Sequence, residues 1–499
     1  MGKRRRGGRD EDAYVILPYS REKVLPKLKQ KKYDDIFWRG RGRLDDFIGF
    51  LYQAGFLSLF DGLKSPMQRK VEIPRRFLHY CITLKPVIEA ASINQLPDRL
   101  FKDTITLREL GFTIEEIRGG FSIKNKAGKN VPVNINAVYD ELARLPEKES
   151  RSFFQRGVWL LREERFITER KGVYALDATK LFVYGDRYEG TGYCSYKKAN
   201  RETKEKGYKL VYIQRVDGQD HYIVAAVLIP LNQNESTVVR NLVEDALSIL
   251  GEGSISILVF DREFLSGEFF DYLKKEKGID FICPTKEKQH LTRHMRGLHR
   301  AGEETKVNLS DGTVLAGYNN LIRMDGCRSK INGVLILGRK KRGRKRIVEG
   351  EEFGYLTSLP VNNSRQIEDV HLLYSKRWKI EINGNRELKK SWYLNKFPGE
   401  SWNAVCCHIY FTLFMFNVVA SYKSKKGRSL SEKGFLSLRN KYFQGFYKEH
   451  DIVVYVDGYV GTFSFLEFLD ALDLPPPTGI LERYPKLIVY PDGEKEFWL

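Results

Sequence analysis

The sequence predicts an α/β protein: a mixed β-sheet flanked by helices, interrupted by a β-rich insertion and preceded by a mainly helical N-terminal region. Three textures carry this reading. Helix-period apolar patterns prevail up to about residue 150, and strand-like and helical runs alternate from about 170 to 283. Glycine-separated strand-like runs then fill 284–360. At 499 residues the chain exceeds one ordinary core, so several domains are expected.

In the N-terminal region, taken as 1–165, Leu44–Phe60 and Val138–Leu145 show helical apolar periodicity. Thr104–Ile117 reads as a small helix-turn-helix with Gly111 at its bend. The basic clusters Lys3–Arg6 and Arg39–Arg43 suit a solvated tail or phosphate contact equally.

The strands begin with the apolar run Val173–Leu176, which ends on Asp177. Tyr208–Val216 and Tyr222–Ile229 follow, separated by the turn Asp217-Gly218, and then a helix over Glu235–Leu250. Ile255–Phe260 is a buried-looking strand ending on Asp261, followed by a helix (Ser266–Lys277) and a strand (Asp280–Cys283). That order is expected of a ribonuclease-H-like domain, assigned to 166–285 and 361–425. The insertion, 286–360, contains strand-like runs at Val334–Leu337 and Phe353–Leu359. Between them lies the densest basic cluster: Arg339, Lys340, Lys341, Arg342, Arg344, Lys345 and Arg346. Strand ends on both sides would hold this tip out from the body, so DNA-backbone contact is expected there. The domain resumes in a helix that Asn363 and Gln366 cap, with Ile367, Val370, Leu373 and Ile380 along one stripe. Residues 426–499 read as an appendage, acidic on balance over the last fifty and broken by Pro475-Pro476-Pro477, with no legible role.

Charge narrows the partner. With 84 Lys and Arg against 64 Asp and Glu, the formal charge is +20, which points to nucleic acid or an anionic membrane. No apolar run follows Met1–Arg6, so no secretory signal is expected. Ala404–Ser421 approaches spanning length but carries Cys406, Cys407, His408, Thr412, Asn417 and Ser421, which favours a buried core helix and no membrane. The six cysteines form no CxxC pair, so a reduced, cytoplasmic protein is expected, nucleoid-associated with DNA as its partner. His290 and His294 have i, i+4 metal-pair spacing, but Lys286, Lys288, Arg293, Arg296 and Arg300 favour a solvated basic segment.

The carboxylates at the strand ends carry the chemistry. In this strand order the first and fourth strands are neighbours, which would bring Asp177 and Asp261 about 5 Å apart. Two carboxylates there repel, and a divalent cation relieves the repulsion; all-oxygen ligands favour Mg²⁺, with Mn²⁺ able to substitute. Glu381 would join them from the helix after the insertion, where Tyr374, Arg377 and Glu381 share a face at i, i+3 and i+7. An arginine one turn before a metal-binding glutamate can contact a phosphate that the metal holds.

Three stretches resemble the IS-four group of bacterial and archaeal insertion-sequence transposases, over roughly residues 100–425. They are Ala175-Leu176-Asp177-Ala178-Thr179, then Val259-Phe260-Asp261-Arg262-Glu263-Phe264, and Tyr355–Pro360 followed by Tyr374-Ser375-Lys376-Arg377-Trp378-Lys379-Ile380-Glu381. The resemblance implies a DDE transposase in which Asp177, Asp261 and Glu381 hold two Mg²⁺ ions. It implies cut-and-paste movement at terminal inverted repeats, through hairpin ends and a homodimeric synaptic complex on double-stranded target DNA. Tyr374, Arg377 and Lys389 then position phosphates. One departure stands out: the group places a lysine seven residues after the glutamate, where this chain has Leu388, with Lys389 next. Either a single-residue bulge near Asn383-Gly384-Asn385 returns Lys389 to the face, or the lysine's role is lost or moved. The alternatives are a ribonuclease-H-like nuclease without strand transfer and a domesticated DNA-binding protein that no longer cuts.

Overall fold

The computed structural model describes residues 20–475 except 40–43, 67–72, 89, 102–105, 108–109, 113–116, 118–132, 168–170, 199–200, 219–220, 287–288, 341–346, 350–352, 427–450 and 464. It also describes 486–489 and 495–498. The chain opens with α1 (Arg21–Lys29) and β1 (Asp35–Arg39), followed by a helical layer of α2 (Leu44–Gln53), α3 (Arg75–Leu84), α4 (Ile135–Arg144) and α5 (Glu147–Glu163). The Asn134 side chain starts α4 by accepting the Asn136 N–H at 3.0 Å, satisfying one of the donors a helix start leaves open. Most of the expected helix-turn-helix at Thr104–Ile117 lies outside the described residues.

Four strands precede the next helix, one more than the sequence pattern indicates: β2 (Gly172–Val183), β3 (Gly192–Lys198), β4 (Arg201–Arg215) and β5 (Ile223–Pro230). Then come α6 (Val239–Leu250), β6 (Ile255–Phe260), α7 (Gly267–Asp271) and β7 (Asp280–Pro284). In the sheet β5, β4 and β2 are antiparallel neighbours, while β2, β6 and β7 are parallel. This is the ribonuclease-H-like arrangement, with the first strand, β2, beside β6, the first strand after the helix. The first strand does not stop at Asp177, as the apolar run implied; it continues to Val183, paired along its whole outer half with β4. Its early residues are buried on both faces, as a central strand requires, and burial alternates only after Asp177.

The insertion comprises α8 (His290–Ala301), β8 (Thr305–Asn308), β9 (Val314–Tyr318), β10 (Asn332–Lys340), β11 (Ile347–Glu349) and β12 (Gly354–Thr357). Its strands extend the same sheet, because β12 pairs antiparallel with β7 and β10 with β12. The chain then forms α9 (Ser364–Ser375), a π-helical turn (Ile380–Arg386), α10 (Glu387–Lys390) and α11 (Trp402–Lys426). Asn363 and Gln366 cap α9 as expected: Asn363 Oδ1 accepts the Gln366 N–H at 3.0 Å, and Gln366 Oε1 accepts the Asn362 N–H at 2.8 Å.

Helix α11 is the spine of the core. Its apolar window is 89% buried, and Phe411 and Phe414 stack among Phe60 and Phe153. Gly157 on α5 permits the close approach, since a Cβ there would sit 2.5 Å from the Phe414 ring. The polar residues that mark this stretch are satisfied internally. Asn417 clasps the backbone of Ile223 (2.9 and 2.7 Å), His408 reaches the carbonyls of Tyr393 and Leu394, and Thr412 and Ser421 bond back one turn.

After 450 the chain forms β13 (Asp451–Val456), β14 (Tyr459–Phe463), α12 (Phe465–Ala471) and a small hairpin, β15 (Lys486–Val489) with β16 (Lys495–Trp498). β13 pairs with both β14 and β1, so segments far apart in the sequence share one small sheet. Val24 and Leu28 of α1 pack there with Ile452, Val454, Phe463 and Phe468 as a second apolar cluster.

Candidate active site

The parallel pairing of β2 with β6 decides the geometry of the centre. Its last registered pair is Leu176 opposite Phe260, and the next residue on each strand is an aspartate. Asp177 and Asp261 therefore stand side by side on strands about 4.8 Å apart. β6 ends there because Asp261 caps the following turn, its Oδ1 accepting the Arg262 N–H at 2.7 Å. Across β2 on the other side, Asp177 faces Tyr212 of β4.

Asp177 is 9% exposed, and its carboxyl is pushed up to about 6. Burial is the main cause, with the charges of Glu381 and Asp261 adding to it; the Ala178 N–H and the Arg377 guanidinium oppose it. All three expected carboxylates thus act on one locale. Asp177 Oδ1 accepts the Ala178 N–H at 2.8 Å and Oδ2 accepts from Asn385 Nδ2 at 3.0 Å.

The helix after the insertion supplies the rest. α9 ends at Ser375, and Arg377 lies in the turn that follows, nearly buried. Arg377 Nε donates to the Tyr374 hydroxyl at 2.9 Å, and Nη1 forms an ion pair with Glu381 Oε1 at 2.7 Å. Burial alone would lower the Arg377 pKa, but Tyr374, Glu381 and Asp177 together hold it above the ordinary value. The buried Tyr374 phenol is pushed well up, mainly by burial.

Glu381 opens the π-helical turn Ile380–Arg386, which spans the Asn383-Gly384-Asn385 stretch where a bulge was one of the two expectations. Beyond the widened turn, Leu388 is fully buried in the core. Lys389 is partly buried, its pKa lowered by burial against the opposing pull of the Asp177 charge, so it lies within electrostatic reach of that carboxylate. Of the basic tip, Arg339 and Lys340 end strand β10; Lys341, Arg342, Arg344, Lys345 and Arg346 lie outside the described residues. His290 and His294 lie on α8, where His294 Nδ1 faces the Ile322 N–H at 3.5 Å.

Sequence reasoning missed two residues here. The Tyr212 hydroxyl donates to Asn385 Oδ1 at 2.8 Å, and Asn385 in turn holds Asp177. Tyr212 is fully buried, and burial with the charges of Asp177 and Glu381 keeps its phenol far above the ordinary range. The only signal was that Asn383-Gly384-Asn385 is poor helix-forming sequence.

Among the described residues, no three His, Cys, Asp or Glu side chains converge at metal-ligand distance. The donor set nevertheless suits a hard divalent cation. It consists of carboxylate oxygens, the most buried of which has its pKa raised chiefly by burial and further by the charges of the other two, and a bound cation would oppose that shift.

A family model described as a transposase DDE domain matches residues 168–418. No curated protein matches the chain. Among solved structures, the piggyBac transposase in a synaptic complex with hairpin DNA is similar at 11% identity and a TM-score of 0.37. The match covers 88% of this chain and 81% of that one, a likeness too distant to bear on the site.

Proposed function

The chain belongs to the transposase DDE domain family, and from that premise we propose that it moves an insertion element of the IS-four kind by cut-and-paste transposition. The observation that carries the reading is the β2/β6 register, which sets Asp177 beside Asp261, with Arg377 and Glu381 brought over them from the following helix.

In this reading Asp177, Asp261 and Glu381 hold two Mg²⁺ ions, for which Mn²⁺ can substitute. When bound, such ions supply a nucleophilic water and stabilise the leaving oxygen of a phosphodiester. The protein's own groups do the rest. Arg377, anchored by Tyr374 and paired with Glu381, would offer its guanidinium to a phosphate oxygen were Glu381 engaged as a metal ligand. Lys389 offers a second positive charge to the backbone. The partner is double-stranded DNA, first the terminal inverted repeats and then the target, bound as a homodimer. The +20 charge and the basic tip from Arg339 to Arg346 support DNA contact. The setting is cytoplasmic and nucleoid-associated; the six free thiols suit a reducing compartment.

The test is cleavage and joining of a duplex carrying the inverted repeats that flank the reading frame, in Mg²⁺. The expected products are free 3′ ends and joined strands, both absent for Asp177→Ala. Cleavage that persists in Asp177→Ala would overturn the site. Cleavage without joining would favour a nuclease, and binding without cleavage a domesticated DNA-binding protein.

A further inference from the structure

A carboxylate in a β-strand can turn about its last side-chain bond, and each angle presents different lone pairs to a cation. In this chain that freedom is removed from both sides. Asp177 Oδ1 takes the Ala178 N–H, and Oδ2 takes Asn385 Nδ2. An asparagine could offer either its oxygen or its amino group; an ionised carboxylate only accepts and so takes the amino group, and Tyr212 holds the amide in that sense. Its O–H donates to Asn385 Oδ1, so the NH₂ is turned to Asp177. Tyr212 is itself fixed, fully buried and registered opposite Asp177 on β4. Three side chains thus link strand, strand and helix.

The helix is shaped for this contact. Asn385 sits in the π-helical turn that Glu381 opens, so one turn carries both the third carboxylate and the group that orients the first. Gly384 lets that turn seat on the sheet: a Cβ there would lie 2.4 Å from the Tyr212 hydroxyl and 2.7 Å from Gln214 Oε1.

We infer that Asn385, oriented by Tyr212, is a positioning residue that sets the Asp177 carboxylate for metal binding. The inference rests on the reading of Asp177 as a metal ligand. Neither side chain touches the reacting phosphate; both act through Asp177. The extra residue in the turn then has two consequences, bringing Asn385 to Asp177 and Lys389 within reach of the same centre.

The test uses the full chain and Mn²⁺ alone, with binding read from the loss of the free-ion paramagnetic resonance signal and thermal unfolding measured in EDTA. Removing a partner of a metal ligand typically weakens metal binding about 10- to 100-fold. Asn385→Ala is expected to weaken Mn²⁺ binding at least about tenfold. Tyr212→Phe, which keeps the ring and its packing, is expected to weaken it in the same direction by a smaller factor. Wild-type Mn²⁺ affinity in both folded variants overturns the inference, as does a loss of thermal stability with affinity unmoved. Tyr212→Phe carries the test should Asn385→Ala fail to fold. Asp177→Ala separates the two readings. If it binds Mn²⁺ as the wild type does, the metal-ligand reading falls and the inference with it. If it alone loses binding, only the positioning role falls.

Discussion

Replacing Gly384 by alanine sets two effects of opposite sign against each other. Gly384 is not at positive φ, and alanine in a helix is ordinarily better than glycine by about 1 kcal/mol. The added methyl, however, would meet the Tyr212 hydroxyl at 2.4 Å and Gln214 Oε1 at 2.7 Å. Neither neighbour can retreat. Tyr212 is fully buried on a central strand, and Gln214 is equally buried with its Nε2 bonded to the His221 carbonyl at 3.0 Å. The turn must lift instead, at the overpacking cost of about 1–3 kcal/mol. Loss of the Tyr212–Asn385 hydrogen bond adds roughly 1 kcal/mol more. Sterics outweigh propensity, and a net destabilisation of about 1–3 kcal/mol is expected. For a folding unit of this size that is a fall in Tm of very roughly 2–10 °C. Combining the change with Tyr212→Phe removes the nearest clashing atom. The two changes should therefore be less than additive by about 1 kcal/mol. Thermal unfolding of the two single variants and the double variant measures both quantities. A Gly384→Ala protein as stable as its parent would refute the seating of the π-turn on the sheet.

Asp177 provides a pH test. Its folded pKa of about 6 lies above the ordinary 3.8, so its favourable contribution is complete below pH 3.8 and is lost as pH rises through 6. In metal-free protein at pH 8, Asp177→Asn should therefore raise stability by about 1–2 kcal/mol, after allowing for the disturbed Asn385 bond, and have little effect at pH 4. A lower Tm at pH 8 would contradict this. In the helical layer, His79 Nε2 meets Glu141 Oε1 at 2.9 Å with both side chains 1% exposed. Burial opposes the Glu141 charge, yet the bond and charge of His79, with Ser65 and Arg75, hold its pKa below the ordinary value. Glu141→Ala should cost about 3 kcal/mol near neutral pH, and this pair's contribution should fade as acid brings the pH down through the carboxylate range. Denaturant titration of the variant checks it. Lys389→Met should weaken DNA binding evenly across sequences and reduce the slope of log affinity against log salt by about one. An unchanged slope would remove Lys389 from the backbone contacts.

Much of this centre was legible before any coordinates. A strand-end aspartate is conspicuous because apolar runs such as Val173–Leu176 and Ile255–Phe260 break on it, and strand order implies which ends are neighbours. The capping of α9 by Asn363 and Gln366 and the buried character of α11 follow from local spacing and composition. Local pattern also offered an irregular turn at Asn383-Gly384-Asn385, a poor helix-forming stretch, as one of two explanations for the displaced lysine, without deciding between them.

The rest depended on long-range contact, which local periodicity does not encode. Nothing in the sequence tells Tyr212 from other strand tyrosines, because its importance comes from standing opposite Asp177 across an antiparallel pair. Asn385 is informative only once a π-turn rotates it toward a carboxylate 208 positions away. Likewise, the pairing of β1 with β13, and of β12 with β7, joins segments whose patterns contain no trace of each other. The sequence by itself determined the type of chemistry, through carboxylates placed where burial makes them costly. The tertiary structure decided which neighbours orient them, because hydrogen-bond geometry is set by register and helix winding.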